Sequence, residues 1–207
     1  EVRQALDHSG EMIRSLHIDT ARTWRGGQNQ VLLTVTGLEA LGHPAVLVAH
    51  EGGELRRRAS EGLRYFGFSP RSEFDVQAAW QLVRILDDVQ PEVIHAHDPM
   101  AVSLAAMALQ MRARRPDPLL VAARRVDFHL KRHAFSKWKY RQVDCFIAAS
   151  EAIRQMLVHD GVPTDRTVTV HEGIDVRRIQ SIEPIDVHAA LWLPHHAPIV
   201  GNVAALV

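Results

Sequence analysis

The 207-residue chain is predicted to fold as a doubly wound α/β domain, a parallel sheet flanked by helices. Three observations predict this. Short apolar runs alternate with longer amphipathic ones along most of the chain. The short runs are apolar throughout rather than alternating, as expected of strands covered on both faces. The first of them leads into a glycine pair that opens a helix, in residues 20–30, TARTWRGGQNQ.

Residues 13–18 form the first expected strand and end in Asp19. Residues 27–41 follow as a helix, because Val31, Leu32, Val35, Leu38 and Leu41 recur at helical spacing and Gly42 closes the pattern. Residues 45–49 are the second strand. A helix over 53–60 then precedes a short strand near 63–66. The next pairs are helix 74–89 with strand 92–96, helix 100–112 with strand 119–123, and helix 135–142 with strand 144–148. Helix 151–160, strand 167–171 and a helix at 176–182 complete the series. Right-handed crossovers give the strand order 3-2-1-4-5. Residues 184–198 carry three prolines and read as a linker, and 199–207, IVGNVAALV, as one more strand. That strand is expected to open a second domain, in keeping with boundaries that fall in Pro-rich connectors, the alternative being a last strand of the same sheet. The expected domains are therefore 1–183 and 184–207.

Composition excludes several classes. Apolar residues make up 46% and charged residues 23%, ordinary for a globular protein, and 24 basic residues balance 24 acidic ones. No global polyanion-binding signature exists, and nucleic acid is not an expected partner. The one cysteine, Cys145, sits in an apolar run and reads as a small buried hydrophobe. It allows no intrachain disulfide, which fits a reducing compartment. No signal-like apolar segment and no membrane-length apolar run is present.

The glycine loop fits neither G-x-G-x-x-G nor G-x-x-x-x-G-K-[ST]. Two readings stay open for it: a tight turn, or a place where backbone N–H groups at a helix N-terminus meet an anion. In a doubly wound sheet, ligands sit at the carboxyl ends of strands where strand order reverses. There the first strand delivers residues 20–27, the fourth His95, His97 and Asp98, and the fifth Arg124, Arg125 and Asp127. His95 and His97 share a strand face. They can be hydrogen-bonded structural residues, sugar or phosphate contacts, or a metal pair, although a hydrolytic metal site needs further ligands. Residues 124–141 are the most basic segment, with Lys131, Arg132, Lys137, Lys139 and Arg141 among Phe128, Phe135, Trp138 and Tyr140. Arg124 and Arg125 are expected in the crevice, and the later lysines in solvent or against an acidic membrane surface.

Taken in order, LHIDTARTWRGGQNQVLLTVTGLEALGHPAVLVAH, PEVIHAHDPMAVSLAAMAL, VAARRVDF, VDCFIAASEAIRQMLVHDGVP and VTVHEGID resemble the N-terminal half of a GT-B fold glycosyltransferase of family 4. The resemblance spans nearly the whole chain, and GNVAALV is similar to the strand that opens the C-terminal domain. It implies a Rossmann-like acceptor-binding domain, a nucleotide-sugar donor, retention of stereochemistry and no metal or other cofactor. It implies that Gly26 and Gly27 lie near the donor diphosphate and acceptor, with Gln28, Asn29, Arg124 and Lys131 beside them. Glu172, Gly173, Ile174 and Asp175 match an N-G-[IV]-D-like turn, with Glu172 replacing the usual Asn. Arg125 stands where many members have a donor-contacting histidine. Arg125 and His97 are thus the expected catalytic pair. The implied acceptor is an envelope glycan or lipid-linked sugar, and the implied location is the cytoplasm, including the inner face of the membrane. Without the C-terminal domain and its donor-binding residues, the chain is expected to be inactive. A GT-B nucleotide-sugar epimerase, a non-catalytic glycan- or partner-binding module and a metal-dependent hydrolase on His95 and His97 are the competing readings.

Overall fold

The computed structural model describes residues 12–59, 62–113, 116–130 and 133–202. The chain divides into two compact units, 1–173 and 174–207.

The first unit is a seven-stranded, wholly parallel sheet of order β3-β2-β1-β4-β5-β6-β7. The strands are β1 (Ser15–Asp19), β2 (Ala45–His50), β3 (Tyr65–Phe68), β4 (Val93–Ala96), β5 (Leu119–Arg124), β6 (Cys145–Ala148) and β7 (Thr167–Thr169). The crossover helices are α1 (Gly26–Ala40), α2 (Glu54–Arg58), α3 (Val76–Val89), α4 (Pro99–Met111), α5 (Ala134–Arg141) and α6 (Glu151–His159). Each predicted strand and helix of this unit is present, with ends shifted by a few residues. Strand order reverses between β1 and β4, because the crossovers run outward to β3 and then return past β1. That reversal opens the crevice at the strands' carboxyl ends.

Two apolar cores hold the layers. On one face, Leu16, Ile18, Val48, Ile94, Leu120 and Phe146 pack under α3, α4 and α6. Small residues on α4, among them Ala101, Ala105 and Ala108, are fully buried and let that helix sit close to the sheet. On the other face, Ala45, Leu47 and Ala49 pack under Val31 and Val35 of α1 and Leu55 of α2. The expectation of apolar strands fails on this second face of β1 and β4. Ser15, His17 and Asp19 are buried there, with His97 just past β4. Register places His17 directly opposite His95.

Helix ends follow local chemistry. Asp75, Asp98 and Ser150 cap α3, α4 and α6 by accepting backbone N–H groups. Pro99 at the first position of α4 costs no helical hydrogen bond. Gly42 sits at φ +85° after α1, a left-handed turn that glycine adopts without strain.

Lys139 departs from its expected solvated position. It is 3% exposed, and its ammonium donates to Glu73 Oε2 (2.8 Å), Ser103 Oγ (2.9 Å) and the Pro99 carbonyl (3.1 Å). It ties α5 to the start of α4. Lys131 and Arg132 lie outside the described residues. Cys145 is half-buried, and burial raises its thiol pKa.

In the second unit, α7 (Val176–Gln180) and α8 (Val187–Ala190) are short helices capped by Asp175 and Asp186. The expected linker therefore contains a helical turn. Residues 199–202 carry no strand, and 203–207 lie outside the described residues. No helix among the described residues is long and apolar enough to cross a membrane.

Candidate functional site

The loop after β1 is pinned from several sides. Thr20 donates from its N–H (2.7 Å) and hydroxyl (2.9 Å) to the Asp98 carboxylate, which also caps α4. Arg22 Nε donates to His50 (2.9 Å), and the Arg58 guanidinium lies 4.4 Å over the Trp24 ring. The loop thus delivers Gly26 and Gly27 in a fixed position, as the first residues of α1.

Neither glycine is required by the turn. Both lie outside the left-handed region. A Cβ built on Gly26 would meet nothing within 4 Å, and one on Gly27 would only touch Arg125 Cδ at 3.9 Å. What the missing side chains leave is open space above the first turn of α1. The first-turn N–H groups of an α-helix have no acceptor within the helix and carry its positive dipole end. A left-handed turn is therefore not the reason for the pair.

Arg125, just past β5, forms the opposite wall. Its Nε donates to Glu172 Oε1 (2.7 Å), and its terminal nitrogens donate to His97 Nδ1 (3.1 Å) and the His97 carbonyl (3.4 Å). Gln30 on α1 closes a two-way pair with Gly173, donating to its carbonyl (2.6 Å) and accepting from its N–H (3.2 Å). Gln30, Arg124, Arg125, Glu172 and Gly173 line a cavity of about 330 Å³, with His95 and Ile147 also on its wall. Arg125, His97, Gly27, Glu172 and Gly173 are therefore brought together as expected. Arg124 is beside them, but a terminal nitrogen donates to the Phe128 carbonyl, so its guanidinium serves its own loop. Asn29 is half-buried on α1. Lys131 lies outside the described residues.

Three residues passed over in the sequence belong to the site. Asp19, 1% exposed, accepts from the Ala21 N–H (3.0 Å) and Gln28 Nε2 (3.0 Å). Burial, and then the neighbouring Asp98 charge, raise its pKa from 3.8 to about 6, against the hydrogen bonds and Arg125, which lower it. His17 bonds His97 through Nδ1–Nε2 (3.0 Å) and Ser15 Oγ through Nε2 (3.0 Å). Burial lowers the His17 pKa to about 4. Burial first, then neighbouring charges, also hold His95 and His97 well below 6.5. The available signal was period two: Ser15, His17 and Asp19 are the polar members of one strand face.

His17, His95 and His97 place one ring nitrogen each within 4.8 Å of one another. A metal would need a free lone pair from each. Both nitrogens of His17 and both of His97 are already bonded, His97 Nδ1 to the Arg125 cation. His95 Nε2 is shielded and without a partner. The cluster is better fitted to relay hydrogen bonds than to hold a cation.

The comparisons fit this frame. The family model for Glycosyltransferase Family 4 matches residues 24–178. No curated protein sequence matches. A glycosyltransferase from Rickettsia africae superposes at TM-score 0.72 and 14% identity, covering 91% of this chain and 52% of that one. The lipopolysaccharide outer core galactosyltransferase WaaB gives 0.62 at 10% identity, over 80% and 47%. HepE from Anabaena in complex with UDP-glucose gives 0.61 at 15% identity, over 80% and 45%. A UDP-N-acetylglucosamine 2-epimerase from Rickettsia bellii also shares the fold, at 0.61 and 14% identity, over 89% and 52%. The chain thus spans about half the length of these structures, and at such identities they speak to the fold alone. The family match covers most of the sheet and both walls of the crevice: the chain belongs to glycosyltransferase family 4, with the Rossmann-like fold of a GT-B N-terminal domain.

Proposed function

We propose that this domain is the acceptor-binding half of a retaining glycosyltransferase. The transfer passes a hexose from a nucleotide-sugar to an envelope glycan or lipid-linked acceptor. The observation that carries the reading is the open space over Gly26 and Gly27, faced by Arg125 held at both ends.

Departure of the nucleoside diphosphate leaves oxocarbenium character on the sugar and negative charge on the leaving oxygens. Fixed donors aimed at that charge lower the barrier most. In this half, the first-turn N–H groups of α1 and the Arg125 guanidinium supply them. Arg125 is the residue that contacts the diphosphate, and His97 positions it from behind. Glu172 fixes the other edge of the guanidinium and partly neutralises it. No metal is required in this scheme, because a guanidinium and helix N–H groups provide the positive charge. Transfer also needs a donor-holding wall opposite this one, so this domain separated from such a half binds a diphosphate but does not turn over.

The exposed Phe128, in the most basic segment of the chain, and the exposed Phe74, whose ring is tilted 4.3 Å from that of Phe135 in the same segment, support peripheral contact with an acidic membrane at the cytoplasmic face. The test is a screen of nucleotide-sugars, beginning with UDP-glucose, against lipid-linked and glycan acceptors, using a protein that carries this domain with its donor half. Acceptor-dependent transfer with retained anomeric configuration supports the reading. Sugar interconversion without acceptor would favour an epimerase instead.

A further inference from the structure

We propose that His17, through His97, is a positioning residue for Arg125, with Ser15 as the terminal acceptor of a directed hydrogen-bond chain. The inference rests on the diphosphate-binding reading of Arg125 for its functional consequence, and on geometry alone for its structure.

The direction of the chain follows by elimination. A guanidinium has donors and no acceptor, so Arg125 can only donate to His97 Nδ1. A neutral imidazole that accepts at Nδ1 carries its proton on Nε2. His97 Nε2 therefore donates to His17 Nδ1 at 3.0 Å. His17 must then carry its own proton on Nε2, which donates to Ser15 Oγ at 3.0 Å. All three residues are at most 7% exposed, so water does not compete for these bonds.

The consequence lies at Arg125. Only the Nε2–H tautomer of His97 offers a lone pair toward the guanidinium. The other tautomer would turn an N–H toward it and push it from the crevice. His17 favours the first of them, because its Nδ1 accepts from His97 Nε2–H while its own Nε2 proton has the Ser15 hydroxyl as acceptor. Three residues, two on β1 and one just past β4, thus set the aim of one cation. The chain also explains why polar residues occupy the buried face of β1, which the packing of the core does not require.

The test uses the 207-residue chain and two readouts. Nitrogen-15 imidazole spectra report the tautomers directly, and His97 and His17 are both expected as neutral Nε2–H forms. Inorganic pyrophosphate is the binding probe. His17→Leu should weaken it about tenfold, the scale of one lost orienting hydrogen bond. His17→Asn, which returns an acceptor oxygen near Nδ1, should restore binding to within about threefold. A merely structural role predicts no such rescue. An Nδ1–H tautomer at His97, or wild-type pyrophosphate affinity in folded His17→Leu, would overturn the proposal. Should His17→Leu not fold, Ser15→Ala carries the same expectation with less disturbance. If the wild-type chain binds no pyrophosphate, the diphosphate reading fails, and the tautomers alone then decide whether the chain exists.

Discussion

Replacing Asp19 by Asn should make the stability gap between variant and parent depend on pH, in a direction set by burial. The folded carboxyl has its pKa raised from 3.8 to about 6. The folded chain therefore binds more protons than the unfolded one between those values. Its stabilising contribution is complete below the unfolded pKa and is lost as pH rises through about 6. The gap of about 2 pH units is worth about 3 kcal/mol at 1.36 kcal/mol each, and about 2 kcal/mol of it falls between pH ~4.5 and pH ~8. The amide that replaces the carboxyl does not titrate. Any fixed offset, such as a weakened bond from Gln28, cancels when one pH is compared with another. The three lowered histidines titrate in both proteins and cancel as well. Urea unfolding at the two pH values should show the variant gaining about 2 kcal/mol relative to the parent. A gap that stays constant, or closes as pH rises, would refute the argument that Asp19 is a buried and disfavoured charge.

The same charge opposes an anion in the crevice. Asp19→Asn should tighten pyrophosphate binding about threefold or more at pH ~8 and change it little at pH ~5, measured by calorimetry. Lys139→Met removes the ammonium that joins Glu73, Ser103 and Pro99, and should cost about 2 kcal/mol in urea unfolding; an unchanged midpoint would mean that the α4–α5 junction holds without it. Purified protein exposed to zinc and then desalted should retain no stoichiometric metal, because four of the ring nitrogens in the histidine cluster are already bonded; one tightly held zinc per chain would overturn that reading.

The fold was legible because its signals are local. Apolar runs of strand length, Val31 and Val35 at helical spacing, and Gly42 closing that helix each state their element without reference to the rest of the chain. The switch point followed from topology, and it brought Gly27, His97 and Arg125 into one crevice. What the sequence concealed depends on partners distant along the chain. Asp19 looked like the end of a strand, and only its neighbour Asp98 and its burial make it a shifted carboxyl. Lys139 lies in a basic, aromatic run that reads as surface. It is buried because Glu73 and the α4 terminus reach it from elements 66 and 40 residues away. His17 carried no motif at all, and its role appears only when the tautomer of His97 is traced from Arg125. The short helix at Val187–Ala190 was missed because four residues are too few to show a period.

Arg125 is the residue on which the proposed chemistry turns. The direct measurement is the turnover of Arg125→Ala against the parent, in a protein carrying this domain with its donor half and a confirmed nucleotide-sugar. The expected result is a fall in kcat of about 100-fold or more, the scale for losing one preorganised donor to the departing charge. An unchanged kcat in a folded variant would contradict the claim that this crevice receives the diphosphate.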